Sequence, residues 1–312
     1  MTPEQCAARV KLAQRSGFGM LRTPNVDDAG TAGCYYGGRP MMPADMAWPT
    51  LYFEAYDVTM PMHFLSRIDL GEMPDMAGLP DMPRHGALLV FMELSIGLNG
   101  VFGDDPKFAA NGSAVRVMHL TDTEGPLVER EMPPIPDLDE HPLVKPIADI
   151  MRKAGVPKVE RPRAFKRWPF AFVPLISVPG PDEFWVENET QFIPAECREH
   201  SQKFYDAYEA RIETKWPDFS YYDRWRLANG VGHDFLGAPQ STSIPNQKFI
   251  DSMGLTQCAP IGDNDIILMV VSDINEIDMK ISGGGAPYQI FIDKEDLRNG
   301  VFDHLHIWRA TD

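Results

Sequence analysis

Cysteine is scarce in this chain of 312 residues: Cys6, Cys34, Cys197 and Cys258 stand far apart, with no C-x-x-C pair. That spacing argues against a zinc knuckle and, at this length, against a disulfide framework, so reduced, buried thiols are expected. Long apolar runs are missing as well, and nothing approaches the roughly 18 residues of a membrane span. The first residues, MTPEQCAARVKLAQR, have no apolar core of the kind a secretory signal needs. A cytoplasmic chain with no membrane contact is the expectation. Positive charge is the third shortage, with 29 Lys and Arg against 45 Asp and Glu and a net charge of -16. Phosphate backbones would be repelled, so no nucleic-acid partner is expected. Catalytic signatures are the fourth: no H-E-x-x-H, no G-x-S-x-G elbow, no G-x-x-x-x-G-K-[ST] and no dinucleotide G-x-G-x-x-G opening a helix.

Proline and methionine, by contrast, are plentiful. The 28 prolines are scattered, which predicts many short elements joined by stiff turns. Of the 17 methionines, eight lie between residues 41 and 82, either filling irregular gaps in a core or lining an adaptable groove. A T-x-x-Q capping box at Thr2 and Gln5 with Pro3 in the first turn predicts a helix over 2–17, stopped by Gly17. Strands are predicted at 62–70, 87–94, 114–120, 170–178, 265–271, 287–292 and 303–310. The run ALLVFMEL is apolar on both pleat faces and belongs inside a sheet. Pro174 places its own strand at an edge or a bulge. A short helix is expected within 142–154 and a longer one over 194–216, with Glu199 and Lys203 paired four residues apart. Strands and helices do not alternate, which predicts an α+β fold of largely antiparallel sheets.

Two stretches echo one another. Gly38-x-Pro40, a strand with an acidic end, and the strand ALLVFME are answered by Gly237-x-Pro239, LMVVSDI and APYQIFI. Related halves at 34–120 and 233–310, joined by a helix-containing insert at 121–232, are therefore expected within one unit covering 1–312.

GGRPMMPADMAWP, MHFLSRIDL, LPDMPRHGALLVFME, HDFLGAPQ and YQIFIDKEDLRNGVFDHLHIW occur in this order. Together they resemble the YwqG-like family, a bacterial domain of unknown function. The resemblance implies one α+β unit with a repeated β architecture and no established activity. Members of that family tend to carry glutamine where Ser66 and Arg67 stand, and a Trp-Gly-Asp-type turn where this chain has SGGGAP.

Candidate chemistry is sparse. His233 beside Asp234 has the form of a base and its orienting carboxylate, and Gln240 follows closely. His304 and His306 fall two apart on a predicted strand and so share a face, a spacing found in metal sites, although zinc needs three or four ligands. No metal and no cofactor are expected. The run at 152–167 holds seven basic residues and one acidic, leaving 22 basic and 44 acidic elsewhere. Arg161, Arg163, Lys166 and Arg167 are its candidate contacts for an anionic ligand or an acidic face. GDNDI and SDINEID lack the ligand order of a calcium loop. The expected function is non-enzymatic binding of a macromolecule, of immunity or inhibitor type, with a basic protein as partner. A hydrolase-type enzyme with its site near His233 and Asp234, or a small-ligand binder between the halves, is the alternative.

Overall fold

The computed structural model describes residues 1–22, 32–53, 56–94, 114–121, 125–155, 162–177, 181–182, 193–194, 197, 199, 203, 234–236, 264–271, 274, 277, 279, 281 and 288–309. Helix α1 (Pro3–Ala13) is followed by strands β1 (Arg15–Arg22), β2 (Tyr35–Tyr36), β3 (Met41–Pro43), β4 (Thr50–Phe53), β5 (Val58–Pro61), β6 (His63–Asp69), β7 (Ala87–Met92), β8 (Val115–Leu120) and β9 (Leu127–Glu129). Helix α2 (Lys145–Lys153) precedes β10 (Trp168–Ser177), β11 (Pro181–Asp182), β12 (Ile193–Pro194), β13 (Asp234–Phe235), β14 (Asp265–Val271) and β15 (Tyr288–Asp293). Helix α3 (Lys294–Asn299) and β16 (Leu305–Arg309) complete the described elements. The fold is α+β and mostly antiparallel.

Local chemistry explains the helix starts. Thr2 Oγ1 accepts from the Gln5 amide at 3.2 Å, and Gln5 Oε1 accepts from the Thr2 amide at 2.8 Å, which satisfies two amides that the first turn leaves open. Helix α1 stops at Ala13, however, and Gly17 lies inside a strand rather than ending the helix. The strand β1 was hidden because glycine is depleted in strands. Here Gly17 and Gly19 are held by pairing: Gly19 stands opposite Val173 on one side and Asp234 on the other.

Ten strands form one sheet in the order β16-β15-β14-β13-β1-β10-β2-β6-β7-β8, with every pairing antiparallel. The central pair joins β1 to β10, so a strand from the stretch 121–232 lies in the middle of the sheet. Among the described residues, β2 pairs with β10 only at Trp168 and Pro169, and Pro174 lies further along, opposite Phe18 of β1; a proline is tolerated where its missing amide would face no partner. The two ends of the sheet meet: β8 lies against β16, and the His119 ring packs edge-on to Phe302 with centroids 5.7 Å apart. The sheet thus curls round a shared core.

Two arms flank the centre, β2-β6-β7-β8 and β13-β14-β15-β16, and their registers match residue for residue. Strand β6 bulges between Phe64 and Ser66 against β7, and β14 bulges between Ile267 and Met269 against β15. The Gly37 amide donates to Leu65 O at 2.7 Å, and the Leu236 amide donates to Leu268 O at 3.0 Å. Leu65, Leu88, Val90, Met92, Val115 and Val117 enter the shared core from one arm, and Leu268, Tyr288, Ile290, Ile292, Leu305 and Ile307 enter it from the other. The outer face of the first arm is covered by a second core of Tyr35, Met42, Trp48, Met62, Phe64, Leu89, Phe91, Leu120 and Met132. This is where the methionines go: all eight between 41 and 82 are buried or half-buried, so they fill gaps.

GGRPMMPADMAWPT is the strap over that face. Gly37 has φ +59°, and a Cβ there would lie 2.4 Å from Lys166 O. Arg130 fastens the strap through its Nη1, which donates to Pro43 O, Ala44 O and Met46 O at 2.8–3.1 Å. Gly37→Ala should lower stability by about 2–5 kcal/mol, adding left-handed strain to a steric clash. A urea midpoint equal to that of the native protein would refute this.

The cysteines depart from expectation. Cys6 and Cys197 form a disulfide, with their Cα atoms 5.2 Å apart and 191 residues between them in sequence. Sequence spacing concealed the pair because only the docking of α1 beside β12 brings the two together. Cys34 remains a buried thiol. Burial, with the Glu72 charge nearby, pushes its pKa up and keeps it unreactive. Cys258 lies outside the described residues, as does most of the helix expected over 194–216, although Lys203 Nζ donates to Glu199 Oε1 at 2.8 Å. Of the described helices, none is long and apolar enough to cross a membrane.

Candidate functional site

The sequence-derived candidates do not converge. His233, Gln240 and Arg161 lie outside the described residues. Asp234 sits on β13, its backbone paired opposite Gly19. Arg163 is exposed, with Nε donating to Met132 O at 2.9 Å and Nη2 bonded to the same oxygen. Arg167 lies over the Tyr35 ring, its guanidinium carbon 3.8 Å from the centroid, and Nη2 donates to Ala32 O at 3.3 Å. Arg167 thus ties the insert to β2 and the chain just before it, while Arg163 joins two parts of the insert itself. Lys166 is exposed. His304 and His306 answer different carboxylates: His304 Nδ1 is 3.1 Å from Asp296 Oδ2, and His306 Nε2 is 4.0 Å from Asp265 Oδ2. Among the described residues, no three His, Cys, Asp or Glu side chains gather as a metal site would need.

A cleft of about 380 Å³ opens elsewhere, at the rim where the start of β1 meets the second arm; its size is that of a small-molecule site. Arg15 and Ser16 come from β1, and Gly78, Pro80 and Asp81 from the loop before β7. The final third of the chain supplies Leu236, Asp265, Ile266, Ile267, Phe291, Lys294, Glu295 and Arg298. Three cations and three carboxylates therefore surround an apolar floor.

Each wall is held by local structure. Ser16 Oγ donates to Ala77 O at 2.8 Å, tying the loop to β1. Arg15 Nη1 donates to Leu12 O at 3.1 Å and Gln14 O at 2.9 Å, so the end of α1 aims this guanidinium. Partial burial pulls its pKa below the ordinary arginine value, and it stays charged. Helix α3 begins at an Asp293 cap whose carboxylate accepts from the Glu295 amide at 2.7 Å, and it ends at Gly300 with φ +69°. That turn presents Lys294 and Arg298 to the cleft, with Arg298 Nη2 ion-paired to Glu295. Asp265 is buried at the start of β14, with His306 behind it. Leu236, at φ +62°, takes a conformation that costs a branched side chain energy. Its counterpart in the first arm is Gly37.

Sequence reading missed Arg15, Lys294 and Arg298, and met Asp265 only in a test for calcium. The D-K-E-D-L-R-N-G stretch does carry a helix signal, an Asp cap and a terminal glycine. Arg15 and Asp265 give no local signal, since they become neighbours of one cleft through sheet order alone.

Residues 35–309 match the family described as "Domain of unknown function (DUF1963)", and the chain belongs to that family. No curated protein matches the chain.

Proposed function

We propose that this DUF1963 protein is a non-enzymatic binding protein that takes a small zwitterionic molecule in the cleft between its two arms. One observation carries the reading: Arg15, Lys294 and Arg298 line the same cleft as Asp81, Asp265 and Glu295. A carboxylate would be met by the first set and an ammonium group by the second. Charge of both signs round one small site, with Asp265 buried and Arg15 half-buried, favours a ligand that carries both. The left-handed Leu236 supports a functional role for this rim, because strain of this kind collects at ligand clamps. The matched registers support reading the arms as copies of one repeated unit, with the cleft belonging to the second copy.

Binding is expected to raise the melting temperature with the logarithm of free ligand concentration above Kd. Free amino acids at millimolar concentration are the probes. Arg15→Ala should weaken the best of them about 10–100-fold, the range for a lost charged hydrogen bond, with little change in the melting temperature of the unliganded protein. No shift with any zwitterion would end the proposal.

A second reading rests on charge. With 22 basic and 44 acidic residues outside the run at 152–167, the acidic surface would complement a basic protein, as an immunity or inhibitor protein complements its target. Binding that weakens steeply with salt is its signature. The YwqG-like resemblance and a bacterial source belong to the same proposal. The Cys6–Cys197 bridge supports an oxidising compartment rather than the cytosol that free thiols implied.

A further inference from the structure

Helix α2 turns an apolar side outward. Its entry is anchored through Val144, which lies half-buried against the cluster of Phe53, Tyr56 and Met60 at the β4-β5 hairpin. The Tyr56 ring also meets His141 edge-on at 5.4 Å, and Ala148, one turn after Val144, is half-buried as well. The Lys145 amide donates to His141 O at 2.8 Å, so the entry turn already runs with helical spacing. Leu143, Ile150 and Met151 are 56%, 64% and 42% exposed. Intervals of seven and eight residues place them on one stripe, away from the anchored side. Of the eight large apolar side chains exposed among the described residues, these three fall within nine consecutive positions. Exposed apolar residues scattered singly are ordinary, whereas a cluster marks a contact surface.

We infer that this stripe is a self-association surface, and that its occupant is the same helix of a second copy of this chain, packed antiparallel across a two-fold axis. Charge argues for that occupant. Asp137, Asp139 and Glu140 precede the helix, and Arg152 and Lys153 close it. A two-fold contact sets one patch against itself, so antiparallel packing brings each acidic entry beside the other copy's basic exit. The helix dipoles then also run in opposite senses, which is favourable. An anionic surface is a poorer match. Residues 137–153 hold four acidic and three basic side chains; Lys145 is ion-paired to Glu140, and Arg152 Nη1 lies 2.7 Å from Asp149 Oδ1. One short helix face covers less than about 1,200 Å², so the pairing belongs to the weak, transient class. It is independent of the zwitterion reading, since α2 lines no part of the cleft.

The test is sedimentation equilibrium of the full-length, oxidised protein over concentrations from low micromolar to millimolar. A monomer–dimer equilibrium is expected, weaker at high salt because the flanking charges are exposed. Ile150→Asp puts a carboxylate from each copy into the apolar contact and should weaken it at least about tenfold. The urea midpoint should not move, because the Ile150 side chain is exposed. Lys153→Glu should weaken the dimer too, and Glu140→Lys added to it should recover most of the loss, since the swap restores opposite charges across the axis. A monomer at every concentration would overturn the inference; one that also sediments with phosphatidylserine vesicles would assign the stripe to a membrane surface instead. A dimer indifferent to Ile150→Asp would overturn it by placing the contact elsewhere. No recovery on the charge swap would overturn the antiparallel arrangement.

Discussion

Trp48→Ala is expected to destabilise the protein by about 3–5 kcal/mol, the cost of truncating a large buried aromatic. Trp48 is only 9% exposed, and its ring fills the space between the strap and the outer face of the first arm. Three losses coincide. The ring contact with Phe91 disappears, the carbonyl of Met62 loses its donor, and a cavity is left beneath a strap held on by Arg130. Because the strap is fastened at both ends, by Gly37 against Leu65 O and by Arg130 against the carbonyls of 43–46, it cannot collapse fully into the gap. A hole that stays open costs more than one that closes. An apolar cavity of this kind takes up small aromatic molecules, so free indole should restore part of the lost melting temperature in the variant and do nothing for the native protein. A urea midpoint unchanged by Trp48→Ala would show that the strap is not part of the folded core.

Reduction of the Cys6–Cys197 bridge should cost about 2–5 kcal/mol, the usual penalty for a native disulfide, with chain-entropy arguments favouring the upper end for a closed loop this long. The bridge ties α1 to the segment after β12, 191 residues away. Helix α1 otherwise buries little besides Cys6 and Val10, so in the reduced protein it should fray first. That fraying reaches the cleft, since the carbonyls of Leu12 and Gln14 aim the Arg15 guanidinium. Hydrogen exchange at α1 should accelerate on treatment with a dithiol or in the Cys6→Ser, Cys197→Ser double variant. Equal urea midpoints for the oxidised and reduced protein would remove the bridge from the account of stability.

Much of the framework is local and therefore legible. The capping box at Thr2, the two-faced apolar strand at 87–92 and the strands at 63–69, 115–120, 265–271, 288–293 and 305–309 follow from patterns within a few residues of one another. By sequence Pro174 marks an edge or a bulge, whereas its strand lies in the middle of the sheet between β1 and β2, a place that sheet order alone decides. Other features were hidden for particular reasons. Strand β1 contains two glycines, and its stability comes from neighbours on both sides rather than from its own propensity. Asp293 and Gly300 bracket α3 with signals that are plain once a strand is known to end there. Partners of the basic run were not legible, because such a run carries no record of which way each guanidinium turns; Arg163 bonds the main-chain oxygen of Met132, and Arg167 the oxygen of Ala32 and the Tyr35 ring.

The amino-acid sequence by itself determined the class of fold, the positions of most strands and the cap of the first helix, because hydrophobic period and capping act over one or two turns of chain. It also marked the Gly-x-Pro strap, since only glycine fits the left-handed backbone at residue 37 against Lys166 O. Tertiary structure alone decided the rest: the pairing of β1 with β10, the Cys6–Cys197 bridge, and the cleft that joins Arg15 to Asp265 and Arg298. Each of these brings together residues distant in sequence, as in Arg15 with Ser177, Cys6 with Cys197 and Arg15 with Asp265, and such neighbours are chosen by the closing of the sheet round its core, a choice no short window of sequence contains.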